Sequence, residues 1–311
     1  MSAGSALITG GAGFIGAALG RALLDRGWRV TALDDLSVGT KGAVAGGVEL
    51  VVGDIRDRAL VARLIQPVDV VFHLAARVTI RGSVDAFVDD HDVNLGGTLS
   101  VLEAMSRRPR AKLVLASSMA VYADALSAAP IPESHPTLPL SPYGASKLAA
   151  EHYARLVCGR VGVEQIALRY FNTYGPGQTP SPYVGVVTIF IERLLRGEGL
   201  QIFGDGAQVR DFVHLDDVVE ATIAAARPGA AGPLNIGTGR GTSVLEIARE
   251  LTSRLNPKAP IEHLPTRPEE LRHSVASIER AREVLGYAPR HPALEFEPVI
   301  AHWRQRLGIE G

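Results

Sequence analysis

Six short apolar, β-branched runs punctuate the first 170 residues: Ala6 to Thr9, Arg29 to Leu33, Val48 to Val52, Val68 to His73, Lys112 to Ala116 and Gln165 to Arg169. Between them lie amphipathic stretches of helical length, at Phe14 to Asp25, Asp57 to Ile65, Val93 to Met105 and Pro142 to Val161. Strands that alternate with helices pair in parallel, because each helix returns the chain to the edge where the next strand starts. The pattern predicts an α/β fold, a doubly wound parallel sheet over residues 1–170 with helices on both faces. From Tyr170 onward Gly and Pro cluster (Gly175, Pro176, Gly177, Pro180, Pro182), and helical patterns at Val184 to Leu195, Asp216 to Ala226 and Val244 to Leu255 dominate. Residues 171–311 read as mainly a smaller C-terminal lobe, with parts of 205–240 returning to the sheet.

Charge and cysteine content exclude several function classes. Lys plus Arg number 32 against 33 Asp plus Glu, so no long-range field draws the protein to nucleic acid or to an anionic membrane. The lone Cys158 rules out an intrachain disulfide, and no Cys/His spacing suits a metal site. Both features suit a cytoplasmic protein. No basic n-region opens the chain, and no apolar run approaches the roughly 18 residues of a membrane span, so neither export nor insertion is expected. The charge pairs Asp89-Asp90, Arg107-Arg108 and Glu269-Glu270 read as solvated surface.

Directly after the first strand stands Thr9-Gly10-Gly11-Ala12-Gly13-Phe14-Ile15-Gly16, with a helical pattern following. Strand, glycine turn and helix in that order form the phosphate-binding fingerprint of a Rossmann fold. Glycine permits positive φ and close backbone approach, and the helix N-terminus favours a pyrophosphate. The second strand ends in Leu33-Asp34-Asp35. A carboxylate there accepts bonds from adenosine ribose hydroxyls and repels a 2′-phosphate, which favours NAD over NADP. Asp34 is the candidate, with Asp35 facing solvent. Gly53-Asp54-Ile55 could reach the adenine, and Leu74-Ala75-Ala76 supplies small residues near the cofactor.

Ser141-Pro142 opens a helix in which Tyr143 and Lys147, four apart, share a face. A phenol near pKa 10 is a poor base, and a neighbouring ammonium is expected to bring it toward the working range. Tyr143 would then exchange a proton with a sugar or alcohol hydroxyl.

In order along nearly the whole chain, TGGAGFIG, HLAA, SSMAVY, YGASK, RYFNTYGPG and RDFVHLDDV resemble the extended short-chain dehydrogenase/reductases, and within them the nucleotide-sugar 4-epimerases. The last two motifs carry the nucleotide-sugar inference. The resemblance implies that Ser118 helps Tyr143 bind the reacting oxygen and that Lys147 holds the nicotinamide ribose. It further implies hydride removal from C4 of the sugar to tightly held NAD, a transient 4-keto sugar, and return of the hydride to the other face. On the cofactor side it adds Phe14, Ile15, Asn94 and Phe171 to Gly10, Gly13, Gly16, Asp34, Asp54, Ile55, Leu74, Ala75, Ala76, Tyr143 and Lys147. For the UDP-sugar, in a substrate-binding C-terminal lobe, it implies Asn172, Arg210 and Arg267 at the diphosphate or nucleotide, Glu270 at the ribose, and Gln201-Ile202-Phe203 along the uracil. A homodimer through the helices near Val93 to Met105 and Pro142 to Val161 is implied as well.

Dehydratases of this kind carry Asp and Glu in the two positions after the serine, and decarboxylases carry Glu in the second. Here these are Met119 and Ala120, which cannot transfer protons, so elimination and decarboxylation are disfavoured. Ser274, seven after Arg267, stands where glucose-restricted relatives are bulky, and its small side chain leads us to expect UDP-GlcNAc and UDP-GalNAc alongside UDP-glucose and UDP-galactose. Alternatives are another nucleotide-sugar-modifying enzyme of the same fold, acting at another carbon or releasing an oxidised product, and a non-catalytic nucleotide sensor. His214 reads as structural.

Overall fold

The computed structural model describes residues 4–78, 82–108, 110–125, 127–179, 185–266 and 271–309. The first half alternates β1 (Ser5–Thr9), α1 (Phe14–Leu24), β2 (Arg29–Asp34), β3 (Glu49–Val52), α2 (Arg58–Ile65), β4 (Val70–His73), short helices α3 (Gly82–Asp85) and α4 (Phe87–His91), α5 (Gly97–Ser106), β5 (Lys112–Ser118), α6 (Pro142–Val161) and β6 (Gln165–Tyr170). There follow β7 (Asn172–Tyr174), α7 (Val186–Leu195), β8 (Leu200–Phe203), β9 (Val209–His214), α8 (Leu215–Ala225), β10 (Gly232–Ile236), β11 (Gly241–Ser243), α9 (Val244–Leu255), β12 (Ile261–Leu264), β13 (His273–Ser274), α10 (Glu279–Leu285) and α11 (Glu297–Leu307).

Short polar side chains set the helix starts. The Asp57 carboxylate accepts the Ala59 and Leu60 N–H groups to cap α2, and Ser141 accepts from Gly144 to cap α6, with Pro142 next. Ser243 and Glu246 cap α9 reciprocally. Each cap satisfies donors that a helix start leaves open. Gly162, with φ of 73°, ends α6 in the left-handed conformation.

Seven parallel strands run in the order β3-β2-β1-β4-β5-β6-β10. The direction of winding reverses between β1 and β4, and a crevice opens at the carboxyl ends of the strands there. Adjacent strand residues face opposite ways. Ile8 thus packs with Leu19 and Leu23 of α1 and Val218 of α8 on one face, and Leu7 with Val61, Leu102 and Ala150 of α2, α5 and α6 on the other. A separate core of Phe190, Ile191, Leu251 and Trp303 joins α7, α9 and α11 into the lobe beside the crevice. Residues of the 271–287 stretch, among them Ala276, Ile278, Ala281 and Leu285, leave that lobe and pack with the α1 side of the sheet.

Asp211 on β9 fastens the two parts. It is fully buried, and its carboxylate accepts from Thr238 N–H (2.8 Å), Thr238 Oγ1 (2.7 Å), Gly239 N–H (2.9 Å) and Ala276 N–H (3.1 Å). Asp211→Ala strands three buried N–H groups, and we predict a loss of about 3 kcal/mol or more in urea unfolding. A loss below about 1 kcal/mol would contradict this role.

Candidate active site

A cleft of about 1750 Å³ runs from the glycine turn, past the ends of β4, β5 and β6, to α7 and β8. The turn is shaped to admit a pyrophosphate. Gly10 has φ of 72°, and a Cβ there would stand 2.8 Å from Ala75 N; one on Gly16 would stand 2.1 Å from Gly10 O. Backbone therefore occupies the space that any side chain would fill. Gly13 begins α1 as its N-cap, and Gly10, Gly13, Phe14, Ile15 and Gly16 all line the cleft.

At the end of β2 Asp34 is buried and lines the cleft. Its carboxylate accepts Ala12 N–H and Leu36 N–H, each at 2.9 Å, which fixes its orientation. Leu36 pays with a left-handed φ of 60°, and Asp35 turns to solvent and bonds Ser37. Asp54 and Ile55 line the same end, where Arg56 grips Asp54 at 2.6 Å and holds its carboxyl below the usual range. Leu74, Ala75 and Ala76 form the wall after β4.

Ser118, Tyr143 and Lys147 come together where β5 ends against the first turns of α6, and all three are buried on the cleft wall. Ser118 Oγ accepts Ala120 N–H at 3.2 Å and caps a single turn, Met119–Val121. Lys147 Nζ donates to the Ala116 carbonyl at 2.9 Å and lies 5.9 Å from the Tyr143 ring centroid. Burial pushes Tyr143 up to about 12, opposed by hydrogen bonding to Ser118 and reinforced by the Asp90 charge. The expected lowering by Lys147 is thus not present in the protein alone, because its ammonium faces the Ala116 carbonyl and burial dominates. Burial likewise pulls Lys147 down to about 8, with Asp90 and Glu151 opposing. Behind them His73 is held by Thr9 Oγ1 (2.7 Å) and Thr98 Oγ1 (2.9 Å), and burial keeps it neutral, with its pKa lowered to about 3.

Phe171, Asn172, Gln201, Ile202, Phe203 and Arg210 line the far part of the cleft. Asn172 Oδ1 is buried without a hydrogen-bond partner, and Arg210, nearly buried, is held by the Val209 carbonyl at 2.9 Å. Its neighbour Asp211 is committed to the Thr238 turn and Ala276, as described above. The Gln201 amide bonds Glu262 at 3.1 Å. Arg267 and Glu270 lie outside the described residues. His214 caps α8 by accepting Asp216 N–H at 3.2 Å. With Asp216 and His291 it forms a trio whose ligating atoms lie within 4.8 Å of one another. Among the described residues no helix is long and apolar enough to cross a membrane.

Two expected site residues stand elsewhere. Ser274 is wholly buried in the small sheet, in register with Arg210 on β9, and is not on the cleft wall. Short strand pairing draws it inward, so its small size does not by itself open a sugar pocket. Asn94 sits in a π-turn, Asp92–Gly96, where neighbouring protein groups engage its amide. There it accepts Arg77 N–H at 2.7 Å and donates to Asp90 at 3.0 Å. The pair Asp89-Asp90, read as surface, divides: Asp89 is exposed beside Arg77, whereas Asp90 is buried, its residue only 1% exposed. Its neighbour in space is Ser146, a partner the sequence does not announce. The signal available was the Ser between Tyr143 and Lys147, which alone names no partner.

A parallel sheet with a glycine-lined turn at its switch point defines a dinucleotide-binding protein of the Rossmann class. More narrowly, the chain belongs to the NAD dependent epimerase/dehydratase family, whose model matches residues 6–237. A UDP-glucose 4-epimerase of Mycolicibacterium smegmatis is 38% identical over 291 residues, covering 91% of this chain and 93% of the relative. Among solved structures, UDP-glucose 4-epimerase of Thermotoga maritima with UDP-glucose has a TM-score of 0.91 at 34% identity, covering 98% of this chain and all of the other. UDP-N-acetylglucosamine 4-epimerase of Methanobrevibacter ruminantium, in complex with UDP-N-acetylmuramic acid, has a TM-score of 0.92 at 30% identity, covering both chains fully.

The cofactor of this family fits the turn, since Gly10 and Gly16 let the backbone close tightly and the N-cap Gly13, where a Cβ would meet only the Gly10 carbonyl at 3.3 Å, leaves the start of α1 free of a side chain. We predict that Gly16→Ala weakens NAD binding at least tenfold by calorimetry, because the new methyl meets the Gly10 carbonyl. Unchanged affinity would place the pyrophosphate elsewhere.

Proposed function

We propose that this protein is an NAD-dependent 4-epimerase of UDP-hexoses, interconverting UDP-glucose and UDP-galactose and also accepting the 2-acetamido pair UDP-GlcNAc and UDP-GalNAc. The observation that carries this reading is Ser118, Tyr143 and Lys147 buried together on the wall of the cleft that the glycine turn, Asn172 and Arg210 also line. The relatives and solved structures of like fold support the substrate class.

When bound, NAD supplies the hydride acceptor and donor at C4 of the sugar. Tyr143 Oη is the proton-transferring atom, taking the C4 hydroxyl proton and giving it back. Ser118 Oγ holds the reacting oxygen beside it. The Lys147 ammonium would hold the cofactor ribose, and the added positive charge of a bound oxidised cofactor would favour the Tyr143 phenolate. Met119 and Ala120, both nearly buried on the wall, offer no proton to the neighbouring carbons, so the keto sugar is not diverted into elimination. Asn172 and Arg210 receive the diphosphate, whose charge needs oriented donors.

Proton NMR of the protein with UDP-glucose, and separately with UDP-GlcNAc, reads the C4 configuration directly. Galacto-configured product is expected in both tubes, and its absence from both, with NAD added, would overturn the substrate assignment. Tyr143→Phe should lower turnover by about 10²–10⁴-fold with NAD binding kept. Undiminished turnover would remove Tyr143 from the proton step.

We assign the protein to the cytoplasm, which suits its buried free thiol, Cys158. It forms a homodimer, supported by the exposed apolar side chains Tyr153 and Leu156 on α6. Sedimentation at micromolar concentration should give twice the chain mass, and Leu156→Arg should shift it toward the monomer. A monomeric parent would contradict the dimer.

A further inference from the structure

Asp90 is a buried carboxylate on α4. Among the described residues its hydrogen-bond donors are neutral: Ser146 Oγ at 2.8 Å on Oδ2 and Asn94 Nδ2 at 3.0 Å on Oδ1. Ser146 immediately precedes Lys147 on α6, and its hydroxyl also stands 3.0 Å from the Tyr143 carbonyl. With one hydrogen to give, it favours the carboxylate, since a charged acceptor makes the stronger bond. Asn94 is in turn fixed by the Arg77 backbone. The carboxylate is thus held in place from three segments at the end of α6 that carries Tyr143 and Lys147.

Lys147 poses the complementary problem. Its ammonium is buried, and among the described residues its hydrogen bond goes to the neutral Ala116 carbonyl. The carboxylates that act on it are those of Asp90 and Glu151. Glu151 is already committed, bonded by Arg169 at 2.9 and 2.7 Å and by Ser117 at 2.5 Å. Among the described residues Asp90 is the carboxylate left to balance Lys147. The remaining groups facing this region are neutral His73 on β4, Tyr143 on α6, and Arg77, which is half-exposed and paired with Asp89.

We propose that Asp90, oriented by Ser146 and Asn94, is a positioning residue that keeps the Lys147 ammonium charged in its buried site and thereby sets the pH range over which the Tyr143–Lys147 pair works. Burial alone would drive Asp90 toward protonation, and the bonds from Ser146 and Asn94 together with the Lys147 charge oppose this. The same negative charge raises Tyr143, so its removal lowers both groups. The part concerning turnover rests on the reading of Lys147 as the ammonium that holds the cofactor; the charge pairing does not.

The chain has four lysines, Lys41, Lys112, Lys147 and Lys258, so ¹³Cε-lysine NMR can follow Lys147, with Lys147→Met to assign its signal. In Asp90→Asn the Lys147 titration midpoint should fall by about one pH unit or more, and the pH–rate profile of UDP-glucose epimerisation should move to lower pH by a similar amount. A residue that served packing alone would scale the profile down without displacing it. An unmoved midpoint in the folded variant overturns the proposal. If Asp90→Asn does not fold, Ser146→Ala decides, since it removes the donor that keeps Asp90 ionised: a smaller downward shift supports the pairing and no shift overturns it. Full activity in Lys147→Met would instead refute the cofactor reading of Lys147 and leave the NMR result to judge Asp90.

Discussion

A positive charge has to be maintained at Lys147 with almost no water around it, and much of the site follows from that requirement. An ammonium in such a place is stable only if dipoles and an opposite charge replace its hydration. The Ala116 carbonyl at the end of β5 supplies the dipole, and the Asp90–Ser146–Asn94 group supplies the charge. His73, one strand away, is kept neutral by burial and by the same ammonium, so it adds no second positive charge. Tyr143 shares the enclosure and is therefore reluctant to ionise. The protein alone holds the phenol protonated, and the positive nicotinamide completes the balance.

The scaffold that makes this enclosure is economical. The α1 and α8 side and the α2, α5 and α6 side clamp the sheet, so that β1, β4, β5 and β6 end at one crevice with fixed spacing. Glycines at 10 and 16 remove side-chain volume where backbone must crowd backbone, which leaves room above the turn for a phosphate. The lobe of α7, α9 and α11 closes the other wall. Asp211 ties that wall to the sheet through hydrogen bonds from the Thr238 turn and from Ala276, so the far part of the cleft is held in register with the turn.

Local signals made most of this legible in the chain. Short apolar strands, capped helices and a glycine turn between them are decided within a few residues, with α6 running between Ser141 and Gly162 and α9 beginning at Ser243. The spacing of Tyr143 and Lys147 likewise declares a shared helix face. What could not be read depends on pairings distant in sequence. Asp90 and Ser146 are 56 positions apart, and two adjacent acids look alike until a π-turn and α6 bury one of them. Asn94 faces inward for the same reason. Ser274 was expected beside the sugar from its size, yet its pairing with β9 buries it. The sign of the Tyr143 shift was missed because charge attraction is visible in a four-residue spacing and desolvation is not.

The central claim is that hydride leaves C4 and returns to the same carbon within one closed site. Incubation with UDP-glucose deuterated at C4, followed by mass and NMR analysis of the UDP-galactose formed, tests it most directly. Retention of the deuterium at C4 of the product is the predicted result. Its loss to solvent, or its accumulation in reduced cofactor with an oxidised sugar released, would contradict the account.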